Sequence, residues 1–274
     1  MTMALVTLGL YFRMGAGVWS YGALAVTMLL VLGSRITFGE QKQFDLSPTS
    51  KKWVSEFLGT FALVFAGTGA IVINDVSGGA ITHAGIALTF GLVVMAMIYT
   101  FGDISGAHLN PAVTIGFVAA RRMRLREAAP YIASQLGGAV AASAILQALF
   151  PNHRTLGMTV PAGSVAQSFV LEGILTSLLM LVILNVSAGA KEKGITAGIA
   201  IGGVITLEAM FAGPICGASM NPARSLAPAL VVQDLSAVWV YIVAPIVGAL
   251  LAVPLCICVR EKGCCSATAI DQTI

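Results

Sequence analysis

Two short stretches decide the fold of this chain. Residues 213–224 read Gly-Pro-Ile-Cys-Gly-Ala-Ser-Met-Asn-Pro-Ala-Arg, and residues 102–113 read Gly-Asp-Ile-Ser-Gly-Ala-His-Leu-Asn-Pro-Ala-Val. The stretches share the tripeptide Asn-Pro-Ala and, just before it, the dipeptide Gly-Ala. A polar motif that recurs in this way within apolar sequence indicates an internal repeat.

Each copy predicts the start of a short helix. Asn is a favourable N-cap residue, and Pro at the first helical position has a pre-set φ and lacks only an N–H that would have no helical partner. The helical sequence after each motif holds about ten residues, which rise ~15 Å, half of a ~30 Å hydrocarbon core. Two such half-helices would meet near the membrane midplane with their positive dipole ends together. The motif residues are Asn110, Pro111 and Ala112 in the first copy and Asn221, Pro222 and Ala223 in the second.

The composition is that of a polytopic membrane protein. Hydrophobic residues make up 57% of the chain and charged residues 10%, and the mean hydropathy is +0.91; a soluble domain carries about 25% charged residues. The main basic cluster, at residues 121–126, has no interleaved aromatic residues and adjoins an apolar segment. It indicates a loop at the lipid surface. We therefore expect the lipid bilayer, and no nucleic acid, as a partner.

Six long apolar segments follow the N-terminal region, and each is long enough to cross a membrane. They cover residues 53–73, 84–101, 128–150, 165–187, 195–212 and 237–259. The half-helices follow the second and fifth segments, so the domain at 53–259 divides into halves at about 53–150 and 165–259. Because each half has an odd number of spans, the halves form an inverted repeat. The expected fold class is an all-α membrane protein with six transmembrane helices and two re-entrant half-helices.

The N-terminal region adds an extra apolar segment to this domain. Residues 1–52 form an apolar prefix and a polar linker, and the run at 15–33 carries no charge. Three interpretations of that run are open: an extra transmembrane helix, a signal-like or anchor segment, and translation from an upstream start. The residues after it make a poor cleavage site, which favours the extra helix.

Basic residues predict the orientation in the membrane. From Lys42 to Lys262, the basic residues outside the spans fall on one side of the six-span arrangement, with Arg154 as the exception. This asymmetry places both ends of the six-span domain in the cytoplasm. Residues 260–274 then form a cytoplasmic Cys-containing tail. Because that compartment is reducing, we expect no structural disulfides among the four cysteines near the C-terminus.

These features resemble the aquaporin, or major intrinsic protein, family over about residues 50–260. The resemblance implies a passive channel in the cell membrane that acts without catalytic residues, metal or cofactors, and that forms a homotetramer. Gly-Ala-Ser-Met at 217–220 and Tyr241-Ile242 are similar to the nodulin-like intrinsic proteins of plants and their bacterial relatives. That similarity implies passage of water, small neutral polyols and undissociated metalloid acids such as arsenous or boric acid.

The paired motifs suit a small neutral solute. Asn110 and Asn221 can each offer a side-chain N–H donor to the lumen while they cap their helices. The oxygen atom of a passing water molecule can accept from both asparagines, and these two hydrogen bonds fix its orientation. Because a water molecule oriented in this way cannot bond to its neighbours as in bulk water, the chain of hydrogen-bonded water is interrupted. The opposed half-helix dipoles place positive potential at the midplane, which repels hydronium and metal cations.

The resemblance also implies a selectivity filter made of Phe90, Ala209, Ala218 and Arg224. A charged Arg in an apolar segment indicates a functional site by itself. Strict water channels have His where this chain has Ala209, so the filter should be wider here. The glycerol-facilitator branch has Asp directly after the filter Arg, and this chain has Ser225 instead.

Two matched carboxylates and one histidine complete the candidate site. Glu56 and Glu172 hold corresponding positions in the two halves, and the resemblance implies that they support the re-entrant loops through hydrogen bonds to backbone. A proton relay is the alternative. His108 is predicted to lie beside the lumen or to pack against its loop. It is not expected to bind metal, because His83 and His153 have no ligand spacing with it.

Other function classes make demands that the sequence meets less well than those of a passive channel. Inverted repeats with broken helices also build secondary transporters, which need a coupling-ion site. The candidates for that site are Glu56, Glu172, Glu208 and Asp103, and Glu208 has no predicted partner. A membrane enzyme would need a Ser/His/Asp, Cys/His or metal set, and a junction-forming protein would need larger external loops. The sequence favours passive flux.

Overall fold

A computed structural model describes residues 46–187 and 191–260, with the backbone alone at 191–194. The N-terminal apolar prefix and the C-terminal tail beyond residue 260 lie outside these residues. Within them every element is an α-helix. The six long helices are α1 (Pro48–Val76), α2 (Thr82–Ser105), α4 (Leu125–Leu149), α5 (Val165–Val186), α6 (Lys191–Cys216) and α8 (Val238–Val259), and the two short ones are α3 (Pro111–Ala119) and α7 (Pro222–Val232).

All six long helices are long and apolar enough to cross a membrane. The short helices follow α2 and α6, the second and fifth long helices of the described region. The predicted fold class, with six spans and two half-helices in a repeated order, is therefore confirmed.

Close helix packing within each half depends on matched glycines. In the first half α4 packs along α1, and a Cβ atom on Gly138 would collide with the backbone oxygen of Phe57. In the second half α8 packs along α5, and a Cβ atom on Gly248 would collide with the backbone oxygen of Gly173. Small residues let helix backbones approach this closely in a membrane. The two halves thus repeat the same crossing.

The halves are joined by the short helices and by α2 against α6. The first short helix, α3, packs on α8, which is the last long helix of the second half. The second short helix, α7, packs on α4, which is the last long helix of the first half. Each half-helix is therefore held mainly by the opposite half, and this exchange brings the N-termini of α3 and α7 together.

One cysteine departs from expectation. Cys216 and Cys258 are free thiols in the described region, whereas Cys256 is disulfide-bonded. The expectation that no disulfide forms among the C-terminal cysteines is wrong for Cys256. That expectation rested on the compartment alone, which says nothing about which sulfur atoms the fold brings into contact.

Candidate functional site

Both Asn-Pro-Ala motifs cap their half-helices as predicted. The side-chain Oδ1 of Asn110 accepts from the backbone N–H of Ala112 at 2.9 Å. The Oδ1 of Asn221 accepts from the backbone N–H of Ala223 at 3.0 Å and of Arg224 at 3.3 Å. Each cap satisfies donors that a helix start leaves free, so the asparagine side chains are fixed in place.

The same two side chains also tie the half-helices to each other. Nδ2 of Asn110 donates to the backbone oxygen of Met220 at 2.8 Å, and Nδ2 of Asn221 donates to the backbone oxygen of Leu109 at 2.9 Å. The contacts are reciprocal, as expected of a two-fold repeat. Since a primary amide nitrogen carries two hydrogens, each asparagine retains one N–H beyond this cross-bond.

A cavity of about 960 Å³ passes the meeting point of the half-helices. Asn110 and Asn221 both line it, with only 5% and 4% of their surfaces exposed. The cavity extends from Arg122 and Ser187 at one end to Arg224 at the other. Both asparagine side chains therefore line one cavity at the positive ends of the two helix dipoles.

The loops leading into the half-helices have an unusual backbone. Ala107 and Leu109 in the first loop have φ of 47° and 53°, and Ala218 and Met220 in the second have φ of 41° and 53°. For residues with a Cβ atom the left-handed region costs about 1–2 kcal/mol each. Such conformations persist only where surrounding contacts hold them. The loops therefore need external support.

Glu56 supplies that support to the first loop. Its carboxylate accepts from the backbone N–H groups of His108 at 2.9 Å and Leu109 at 2.8 Å. It also accepts from Ser105 Oγ at 2.7 Å and from Gln135 Nε2 at 2.8 Å. Four donors around one buried carboxylate compensate for the water it has lost.

Glu172 makes the corresponding contacts in the second half. Its two oxygens accept from the backbone N–H groups of Ser219 and Met220, both at 2.8 Å. The backbone contacts implied for the two carboxylates are thus present on both sides of the repeat. A fully hydrogen-bonded carboxylate buried behind a loop is poorly placed to relay protons along the lumen.

Gln135 belongs to this support and was missed by the sequence analysis. Besides Glu56, its Nε2 donates to Thr114 Oγ1 at 3.0 Å, which joins the loop to the first turns of α3. The signal was available, because a Gln near the middle of an apolar, membrane-crossing segment needs a buried partner.

All four proposed filter residues line the cavity. The guanidinium Nη1 of Arg224 donates to the backbone oxygen of Gly157 at 2.8 Å, and its Cζ lies 5.1 Å from the ring centroid of Phe90. This distance is in the range of a cation–π contact. Ala209 and Ala218 contribute only methyl groups, so no bulky side chain stands at those two positions.

His108 lies beside the lumen and also packs against its own half-helix. Its Nδ1 is 3.1 Å from Thr114 Oγ1, and its ring stacks on Phe117 with the centroids 4.4 Å apart. The ring lines the cavity below Asn110.

Glu208 has a different environment from the other two buried carboxyls. Only 1% of its surface is exposed, and neither carboxyl oxygen has a hydrogen-bond partner among the described residues. Its neighbour Ala209 lines the cavity, but Glu208 is not part of the described lining. Glu208 is therefore buried beside Ala209 but outside the cavity lining.

Comparisons with known proteins agree with this geometry. The family model for the major intrinsic protein matches residues 43–255. The chain is 49% identical over 197 residues to aquaporin NIP1-4 of Oryza sativa subsp. japonica, covering 72% of each chain. It is 46% identical over 204 residues to nodulin-26 of Glycine max, covering 74% of this chain and 75% of the relative.

A solved structure supports the same assignment. The aquaglyceroporin from Plasmodium falciparum superposes with a TM-score of 0.68 at 27% identity, covering 74% of this chain and 93% of that one. The predicted resemblance, including the similarity to nodulin-like proteins, is confirmed. Aquaporins are channels and not enzymes. With its six membrane-crossing helices and its two joined half-helices, this chain belongs to the major intrinsic protein family.

Proposed function

We propose that the protein is a passive transmembrane channel for water and small uncharged solutes that excludes protons and ions. The observation that carries this proposal is the meeting of Asn110 and Asn221 on one cavity, where each retains an N–H donor. Donors fixed at two helix N-termini favour neutral oxygen-bearing molecules and oppose cations.

The composition of the proposed filter favours the passage of solutes larger than water. Ala209 and Ala218 leave the space that larger side chains would occupy, while Arg224 retains N–H donors for a hydroxyl oxygen. Small neutral polyols and undissociated metalloid acids carry such hydroxyl groups and no charge. We therefore include glycerol-like polyols, arsenous acid and boric acid among the proposed solutes.

Ion-coupled transport is the alternative, and the carboxyl groups disfavour it. Glu56 and Glu172 have their oxygens occupied by loop donors, and Glu208 is buried outside the cavity lining. Asp103 lines the cavity, but it is exposed near the end farthest from the filter. A coupling-ion site needs carboxylates gathered around one lumenal position, and these groups are dispersed.

The proposal includes the arrangement expected from the sequence. Residues 53–259 form the channel domain, residues 1–52 its N-terminal prefix and linker, and residues 260–274 its tail. Both ends of the channel domain face the cytoplasm, and the protein assembles in the cell membrane as a homotetramer with one passage per subunit.

A solute panel on reconstituted vesicles tests the function. Vesicles that hold the protein should shrink faster under an osmotic gradient than empty vesicles, and they should re-swell in glycerol, boric acid or arsenous acid. The flux should have a low activation energy and should not respond to a proton gradient, because a passive channel uses only the solute gradient. Uptake that collapses when an uncoupler is added would instead support the transporter.

Replacing Ala209 with His tests the filter. The imidazole should fill the space beside Arg224, so we expect glycerol permeability to fall about tenfold, a barrier change of about 1.4 kcal/mol, with a smaller effect on water. Stopped-flow light scattering measures both rates. Ala209→Ser is the matched control, because it adds a polar group with little volume. Equal losses of water and glycerol flux in Ala209→His would contradict the assignment of Ala209 to the filter.

A further inference from the structure

The carbonyl group that accepts a hydrogen bond from Arg224 belongs to a strained backbone segment, which depends on other contacts to keep its conformation. Gly157, whose oxygen accepts from Arg224, lies in the connection between α4 and α5. Gly157 has a φ of 70°, and Leu156 before it has a φ of 48° although it carries a Cβ atom. The left-handed conformation of Leu156 is costly, and it persists only where neighbouring contacts fix it. Those contacts also fix the carbonyl group that Arg224 binds.

One of those contacts comes from His153. The backbone N–H of Leu156 donates to Nδ1 of His153 at 3.0 Å. On the other side of the ring, Nε2 lies 3.2 Å from Oδ2 of Asp75, near the end of α1. Because a backbone N–H can only donate, Nδ1 must be unprotonated, and the ring proton is on Nε2, where it is donated to Asp75. This set of bonds needs neutral histidine.

We propose that His153 is a positioning residue for the selectivity filter, and that it makes the filter sensitive to pH. The neutral ring is anchored on Asp75 and holds residues 156–157 so that Gly157 keeps Arg224 against the wall of the passage. When Nδ1 is protonated, two donors face each other and the bond to Leu156 is lost. This inference rests on the proposed channel function.

The surroundings of His153 allow this change to occur locally. A groove beside the ring is lined by residues from the end of α1, the end of α4 and the connecting segment. Its charged members in the described region are Asp75, which is 52% exposed, and Arg154. The α4 end contributes the apolar side chains of Leu149 and Phe150. The groove therefore gives solvent access to the ring.

The far end of the segment is fixed independently. Thr159 Oγ1 donates to Ser225 Oγ at 2.7 Å, next to Arg224 in the sequence. Loss of the His153 bond therefore loosens the backbone at residues 156–157 without detaching the whole connection. Arg224 then loses the fixed acceptor that holds its guanidinium aside, so the side chain can enter the lumen and obstruct the larger solutes first.

The expected result is a pH-dependent filter. We expect the ratio of glycerol to water permeability to fall about fivefold in the parent protein, as expected for the loss of one hydrogen bond. The fall should come as the pH decreases from about 8 to about 5, the range in which histidine titrates. The measurement uses the full-length protein in vesicles, with the same pH on both sides and stopped-flow recording of both permeabilities.

Three variants distinguish a role of His153 in positioning residues 156–157 from a general role in stabilising the fold. His153→Asn places an amide oxygen near the position of Nδ1, accepts from Leu156 and cannot be protonated, so its ratio should stay at the neutral-pH value throughout. His153→Phe lacks an acceptor, so its ratio should be low at every pH. Asp75→Asn keeps an acceptor for Nε2, so the ring should stay anchored and the ratio at neutral pH should match that of the parent. His83→Gln is the matched control, because His83 bonds the backbone oxygen of Met210 instead, and it should keep the parent profile.

Two outcomes would overturn this inference but leave the proposed channel function intact. One is normal water permeability with a flat ratio in the parent. The other is a pH dependence that persists in His153→Asn, which would assign it to another group, such as His108 in the lumen. Vesicles without water permeability at any pH would instead overturn the channel proposal, and this inference with it.

Discussion

Arg224→Val should fold and conduct water but leak cations or protons. The substitution copies Val113, which follows the first Asn-Pro-Ala motif, so the half-helix can form without the charge. In the parent, a cation passing about 5 Å from the buried guanidinium meets a repulsion of roughly 3 kcal/mol at an effective dielectric constant of about 20. Removing that barrier corresponds to a rise in leak of about a hundredfold.

The leak can be measured as current across planar bilayers or as decay of a pH gradient in vesicles. Arg224→Lys is the matched control, because it keeps the positive charge but loses the planar fork that bonds Gly157 and faces Phe90. We expect its leak to stay near the parent value. A leak in Arg224→Val that equals that of the parent would show that the half-helix dipoles, and not this charge, exclude ions.

Glu172→Leu should have the largest effect on stability. It leaves the backbone N–H groups of Ser219 and Met220 buried without an acceptor, at about 1–3 kcal/mol each. The left-handed backbone at Ala218 and Met220 also loses its support. We therefore expect a clear fall in the thermal midpoint in detergent and at least a tenfold loss of water permeability, the size of effect that a barrier increase of about 1.4 kcal/mol produces.

Glu208→Leu is the matched control for this change. Both residues are buried glutamates in the second half, but the oxygens of Glu208 have no partner within the described part of the chain. Replacing an unpaired buried polar group with an apolar one of similar size is neutral or stabilising. If both Leu variants lost stability equally, burial alone would explain the effect, and the loop-supporting role of Glu172 would be wrong.

Much of this fold could be predicted from local sequence signals. Asn-Pro at a helix start, and apolar runs of membrane-crossing length, have strong physical causes that a single sequence displays. The predicted segment 84–101 falls inside the observed helix Thr82–Ser105, and the segment 165–187 overruns its helix, Val165–Val186, by one residue. The matched positions of Glu56 and Glu172 were also visible, because the repeat aligns them.

The finer geometry of the site was not predictable in the same way. The oxygens of Leu109, Met220 and Gly157 accept the critical bonds, and a backbone oxygen has no signature in the residue type. The left-handed φ of Leu109 and Met220 contradicts local preference and follows from distant carboxylates. The partner of Asn110 lies 110 positions away in the chain, so only the folded bundle identifies it.

The exchange of half-helices between the halves has a consequence for biosynthesis. The chain emerges from its N-terminus, so α3 is made long before α8, the helix against which it packs. Until translation nears its end, α3 lacks the surface of α8 on which it packs. The N-terminus of α3 also lacks its partner, the N-terminus of α7. We expect assembly of the passage to be a late, post-insertion event, and nascent chains that stop before residue 238 should leave the first tip open to protease or to chemical labels.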